Sequence, residues 1–146
     1  MHRYKIKQNV CPIACSNVFH KKPKLITPIP RPFKPRQKKK RLVQNEICGN
    51  IKQNCNGEFV TYWRSFGITP LPSGSVTVLN MSNCIMSVRT DLDGDGISET
   101  ILFTLTERDQ SKSITLGTIS NLEVSCEGVA NEMCRGKFCI EIHYEK

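Results

Sequence analysis

From Glu58 to Tyr144 the chain sets β-branched and aromatic residues against polar ones in short runs with a period near two. Glu58–Arg64, Ser75–Asn80, Cys84–Thr90, Glu99–Thr106, Lys112–Gly117, Asn121–Cys126 and Lys137–Tyr144 each read as a half-buried strand, and Ile47–Ile51 as a further short one. Turn chemistry separates them: Pro70, Pro72 and Gly74, then Asp93-Gly94 and Asp95-Gly96, then Glu127-Gly128. No amphipathic helix of useful length can be drawn. Seven or eight short strands at this spacing predict an all-β antiparallel sandwich or jelly roll.

Alternation also says which way side chains point. Ile101, Phe103 and Leu105 share one face of their strand. In the last strand Phe138, Ile140, Ile142 and Tyr144 share the inward face, which turns Cys139, Glu141 and His143 outward. An outward thiol on a terminal strand is available to another chain.

Charge divides the chain in two. Residues 1–43 hold 13 Lys or Arg and no acid, whereas residues 44–146 hold 8 basic and all 13 acidic residues, so an arm of +13 precedes a body of −5. Pro23, Pro28, Pro30, Pro32 and Pro35 favour extended polyproline II in the arm, and like charges stretch it further. Such a segment buries too little apolar surface to fold alone. At about 3.1 Å per residue, the tether between Cys15 and Cys48 reaches up to roughly 100 Å. No run approaches the ~18–20 apolar residues of a membrane helix. No apolar segment follows the basic start, so the expectation is cytoplasmic synthesis without a secretory signal.

Eight cysteines sharpen the picture. Cys11 and Cys15 lie near the arm's tip; Cys48, Cys55, Cys84, Cys126, Cys134 and Cys139 lie in the body. No C-x-x-C occurs, so the zinc-knuckle and thioredoxin spacings are both missing. Disulfides formed late, after exposure to an oxidising environment, suit the pattern better than structural zinc; buried free thiols acting as small hydrophobes are the plainer alternative.

One acidic motif stands out. In Asp91-Leu-Asp-Gly-Asp-Gly-Ile-Ser-Glu99, the carboxylates of Asp91, Asp93 and Asp95 and the glycine at 96 match the opening of an EF-hand loop, with Glu99 a substitute ligand for Ca²⁺. Position 12 is Leu102, and no helices flank the loop. An acidic, glycine-rich hairpin tip explains the same residues without a metal. The basic arm can contact phosphates, yet Tyr4, Phe19 and Phe33 are too sparse for a base-stacking platform, and a solvated, self-repelling tether is the preferred reading. Gln37-Lys-Lys-Lys-Arg41 also passes for a localisation signal. Catalytic signatures are lacking: His2 and His20 fall in the arm, and Cys139 and His143 stand about 13 Å apart on one strand, too far for a nucleophile and its base. The expectation is a protein that is not an enzyme and carries no cofactor beyond possible Ca²⁺. Trp63, beside Tyr62, reads as core or interface.

The body resembles the subunits of bacterial endospore appendages. Gly136-Lys-Phe-Cys-Ile-Glu-Ile-His-Tyr144 is similar to their closing strand, and Ser113-Ile-Thr-Leu-Gly-Thr-Ile-Ser-Asn-Leu-Glu-Val124 to the strand pair before it; Cys48 also has a counterpart. The resemblance implies a jelly-roll subunit that self-assembles into rings or helical, pilus-like fibres on the spore surface, pairing edge strands between neighbours. It further implies that Cys11 and Cys15 are connector thiols and that Cys48 and Cys139 are their acceptors on other subunits. Cys55, Cys84, Cys126 and Cys134 are extra to that scheme and allow three internal connectivities. The long basic tether departs from a shaft subunit and points to a base or adaptor subunit. Its partners would be itself, related appendage subunits and spore-coat or exosporium proteins, without membrane and without nucleic acid. The alternatives are a capsid-like jelly roll whose arm binds nucleic acid, and a calcium-dependent binding module.

Overall fold

The computed structural model describes residues 28–146. Residues 28–41 carry neither strand nor helix. Eight strands follow: β1 (Leu42–Asn54), β2 (Asn56–Arg64), β3 (Ser73–Asn80), β4 (Ile85–Thr90), β5 (Thr100–Leu105), β6 (Ser111–Leu116), β7 (Asn121–Glu127) and β8 (Met133–Glu145). They form two four-stranded sheets, ordered β1-β8-β3-β6 and β2-β7-β4-β5. Every pairing is antiparallel. Among consecutive strands only β4 and β5 pair in one sheet; each other step carries the chain to the opposite sheet. That path is a jelly roll, as the strand pattern predicts.

Two strands run longer than their side chains announce. β1 starts at Leu42 rather than Ile47, and β8 starts at Met133 rather than Lys137. The two pair without a break from Leu42↔Glu145 to Asn54↔Met133. Beyond the ladder, Arg41 and Lys146 exchange backbone hydrogen bonds of 3.1 and 2.9 Å. A backbone ladder is indifferent to side-chain polarity, so each strand extends the other through Gln44, Asn45, Arg135 and Gly136. One compact unit spans Lys39–Lys146.

Alternation then builds the core. β3 buries Val76 and Val78, β4 buries Met86 and Val88, β7 buries Leu122 and Val124, and β8 buries Phe138, Ile140 and Ile142. Trp63 and Tyr62 pack against this core from β2. Leu105 is buried and Phe103 half-buried, while Ile101 is 51% exposed, because edge strand β5 slips register against β4 at Val88/Arg89.

Buried polar side chains pin the sheets together. Gln53 Nε2 donates to the carbonyls of Glu58 (3.2 Å) and Val124 (3.1 Å), while its Oε1 accepts from Tyr62 Oη at 2.8 Å. β1 is thereby tied to β2 and β7 of the other sheet. Burial pushes the Tyr62 hydroxyl's pKa up. Asn80, fully buried, donates to the Cys84 carbonyl at 2.7 Å and accepts from Ser82 N at 3.0 Å, shaping the β3–β4 turn. Asn121 Oδ1 accepts from Asp91 N at 2.7 Å, and its Nδ2 donates to Ser98 Oγ at 2.6 Å.

Asp91, 3% exposed, organises the β4–β5 loop. Its Oδ1 accepts from Asp93 N (3.1 Å) and Gly94 N (2.7 Å), and its Oδ2 from Gly96 N (2.8 Å). Gly94 and Gly96 have φ of 82° and 91°, a region glycine enters without steric cost. Burial opposes the charge on Asp91, but the Gly94 and Gly96 amides outweigh it and hold the carboxyl below its usual range.

Two stability measurements check this description. Ile140→Ala, at a position with 0% exposure, is expected to cost about 2–5 kcal/mol in urea unfolding; an unchanged midpoint would contradict the packing. Asp91→Asn leaves amides short of a charged acceptor and is expected to cost about 1–3 kcal/mol at neutral pH. A depressed folded pKa contributes stability that is fully present above the unfolded value near ~3.9 and is lost as pH falls through the folded value. The gap between wild type and Asp91→Asn should therefore narrow below about pH 4. A gap that widens on acidification would refute the assignment.

Candidate functional site

The register of β1 on β8 sets Cys48 opposite Cys139. Their Cα atoms lie 4.1 Å apart, the close spacing of a non-hydrogen-bonded antiparallel pair, and their sulfurs are bonded. As alternation predicts, Phe138 and Ile140 face the core and Cys139 faces outward; Cys48 is exposed and Cys139 half-buried. The resemblance makes these two thiols acceptors for connectors of other subunits. Within one chain, the fold brings them to each other.

The surroundings of the pair are polar and low. Thr77 of β3 stands beside Cys139 on the side away from Cys48, and its hydroxyl is 2.6 Å from that of Ser113. Glu46 Oε1 lies 3.6 Å from Cys48 Sγ. Glu46 is also opposite Glu141, whose Oε1 accepts from Gln44 Nε2 at 2.6 Å and lies 3.1 Å from His143 Nε2. Among the described residues the site is thus a surface disulfide flanked by two carboxylates. Glu46 was missed because the sequence pattern starts the strand at Ile47, and only the β1–β8 ladder extends it back through Glu46. Thr77 was missed because only the β3–β8 register places it there. His143 contacts the Glu141 carboxylate, and the Cys139 sulfur is bonded to Cys48.

The remaining body cysteines meet inside one end of the sandwich. Cys55, at the β1–β2 corner, bonds Cys84, just before β4, and Cys126 of β7 bonds Cys134 of β8. This is one of the three connectivities open to the sequence. All four are buried. The second bond joins strands of opposite sheets. Cys11 and Cys15 lie outside the described residues.

The acidic loop brings three of its four carboxylates together. Carboxylate oxygens of Asp91, Asp93 and Asp95 come within 4.8 Å of one another, and Glu99 does not join that group. Both oxygens of Asp91 are taken by backbone amides. Asp93 Oδ1 accepts from Asp95 N at 3.1 Å, and Asp95 Oδ1 from Ile97 N at 2.7 Å. The loop's own amides thus engage both oxygens of Asp91 and one oxygen each of Asp93 and Asp95. On the outer face of the other sheet, Arg89 pairs with Glu123 at 2.7 Å and lies 3.5 Å above the Phe59 ring, a packed ion pair that joins β4 to β7.

Comparison with known proteins accords with this geometry. The sequence profile of the endospore appendages matches residues 30–146. Among solved structures, one reported under the statement that Bacillus endospore appendages form a novel family of disulfide-linked pili aligns with a TM-score of 0.53. It shares 17% identity and covers 73% of this chain and 90% of its own, which supports the same fold. No curated protein matches the chain in sequence. With its profile match spanning the whole body, the chain belongs to the endospore appendage family.

Proposed function

We propose that this chain is a self-assembling structural subunit of a spore-surface appendage. In this reading neighbours join by strand pairing at open sheet edges, and by disulfides from Cys11 and Cys15 of one subunit to Cys48 and Cys139 of others. The observation that carries it is the Cys48–Cys139 pair, set on an outward sheet face where another chain can reach it. Supporting it, each sheet ends in strands with a single neighbour: β1 and β6 in one, β2 and β5 in the other. Such edges offer backbone donors and acceptors to another chain. The acidic flank of Glu46 and Glu141 also suits an approaching arm of charge +13.

The chemistry balances in two ways. A connector thiolate attacks one sulfur of Cys48–Cys139, forms a mixed disulfide and expels the other sulfur as thiolate. If the connector arrives as a Cys11–Cys15 disulfide, the overall exchange turns two intrachain bonds into two interchain bonds with no net oxidation, and a catalytic thiolate starts it and is regenerated. If the connector arrives as two thiols, the first exchange is neutral and the second bond needs a two-electron oxidant such as peroxide. The tether of 32 residues between Cys15 and Cys48 favours a base or adaptor position, with the arm reaching a coat or exosporium layer.

A boiled denaturing gel with and without reductant tests this reading. High-mass species that collapse to the 16.6 kDa chain only with reductant are expected, with rings or fibres by electron microscopy. The pair Cys11→Ser with Cys15→Ser should keep the fold and lose the covalent ladder, and Cys48→Ser with Cys139→Ser should lose it too. A ladder that persists in either double variant sinks the donor and acceptor assignment. Monomer in both lanes for wild type removes covalent assembly, and steeply salt-dependent binding of DNA or RNA would then favour the capsid-like alternative.

A further inference from the structure

The four buried cysteines at the end of the sandwich do more than offer two disulfides. Sulfurs of Cys55, Cys84 and Cys134 all lie within 4.8 Å of one another, and Cys126, bonded to Cys134, stands next to that trio without joining it. Exposure is 8% for Cys55, 1% for Cys84 and 0% for Cys126 and Cys134. Zn–S bonds of about 2.3 Å place the sulfurs of a tetrahedral site roughly 3.8 Å apart. On reduction the Cys126 side chain would have to turn toward Cys55 and Cys84 to complete that spacing.

We propose that, before oxidation, Cys55, Cys84, Cys126 and Cys134 bind Zn²⁺ as a tetrathiolate site, which oxidation later converts into the two disulfides. Four thiols packed together in the core cannot ionise alone, because burial disfavours each charge and the charges repel. A divalent cation offsets both, cutting the site's charge from −4 to −2. The surroundings suit it. Ser82 Oγ lies 3.6 Å from Cys134 Sγ and supplies a hydroxyl donor to a thiolate. Position 128 is glycine, where a Cβ would stand 3.3 Å from Cys84 Sγ and 3.4 Å from Cys55 Cβ, so a side chain would crowd the cluster. A cleft of about 420 Å³ lined by Asn54, Cys55, Asn56, Gly128, Ala130 and Asn131 gives the ion a route. Sequence spacing concealed the site because no two ligands share a C-x-x-C; only the jelly-roll path gathers them.

Conversion is balanced with peroxide as oxidant. Four coordinated thiolates lose four electrons, Cys55–Cys84 and Cys126–Cys134 form, and Zn²⁺ leaves. Two molecules of peroxide take up those electrons with four protons and become four waters. Bound zinc would staple the reduced chain where the disulfides staple the oxidised one, and would keep four of the eight thiols out of wrong pairings.

The test uses the full chain, produced and kept under reductant, with zinc measured by atomic emission. About one Zn²⁺ per folded chain is expected. It should persist in Cys11→Ser with Cys15→Ser and in Cys48→Ser with Cys139→Ser, and fall at least about tenfold in Cys84→Ser and in Cys126→Ser. Peroxide should release the zinc from wild type as the two disulfides appear. Co²⁺ added to the reduced, zinc-free wild type should give intense tetrahedral bands with thiolate charge transfer, a readout independent of whether any variant folds. Reduced wild type with neither zinc nor those bands overturns the proposal. So does zinc that survives Cys84→Ser or that depends on Cys48 and Cys139. None of these readouts requires assembly, so failure here leaves the appendage reading separately testable.

Discussion

The structure depends on the pairing of its first strand with its last. β1 and β8 run together over their whole lengths, from Leu42↔Glu145 to Asn54↔Met133. This closes a loop of about the whole body, an entropic cost that rises only slowly with loop length and that a long ladder offsets. Everything of interest follows from its register. It sets Cys48 on Cys139, aligns Glu46 with Glu141, and carries Cys134 to the end where Cys55 begins the crossing to the second sheet. A slip by one residue would turn Phe138, Ile140 and Ile142 to solvent and Cys139 into the core. Core burial and surface chemistry are therefore fixed by one constraint.

Among the described residues, a jelly roll that alternates between sheets leaves four strands with a single partner each. In a solitary protein such edges invite aggregation. In a subunit of an appendage they are where a neighbour can add. The short edge strand β5 slips at Val88/Arg89, and the corner strand β2 is bulged between Asn56 and Phe59 and between Thr61 and Trp63, so the edges of that sheet are irregular. β6 pairs with β3 without interruption over Gly74–Leu79. Regular and irregular edges differ in how readily they extend a ladder.

The cysteines divide by burial into two chemical classes. Among the described residues, Cys48 and Cys139 sit on the outer face, Cys48 exposed and Cys139 half-buried. Cys55, Cys84, Cys126 and Cys134 are enclosed, where their bonds hold the corner of the fold and cross from sheet to sheet. In the aspartate loop, alternate carboxylates on a glycine-relieved turn accept the loop's own backbone amides. Asp91 commits both oxygens to that task.

The sequence by itself determined the fold class, the strands from Glu58 to Tyr144 and the outward turn of Cys139, because a period of two is written locally in residue types. It also determined the charge division, since composition needs no geometry. The family, too, was legible in the residues of Gly136–Tyr144 and Ser113–Val124, whose order of apolar and polar side chains is similar to that of appendage subunits. Only the tertiary structure decided the full lengths of β1 and β8, because a backbone ladder extends through Gln44, Asn45 and Arg135 without any apolar signal. It alone chose Cys55–Cys84 and Cys126–Cys134 among three connectivities, and it alone showed that Gln53, Asn80 and Asn121 are buried fasteners. The physical reason is the same in each case: these contacts join residues far apart in the chain, and their energies depend on where the opposite strand falls, which no local pattern encodes.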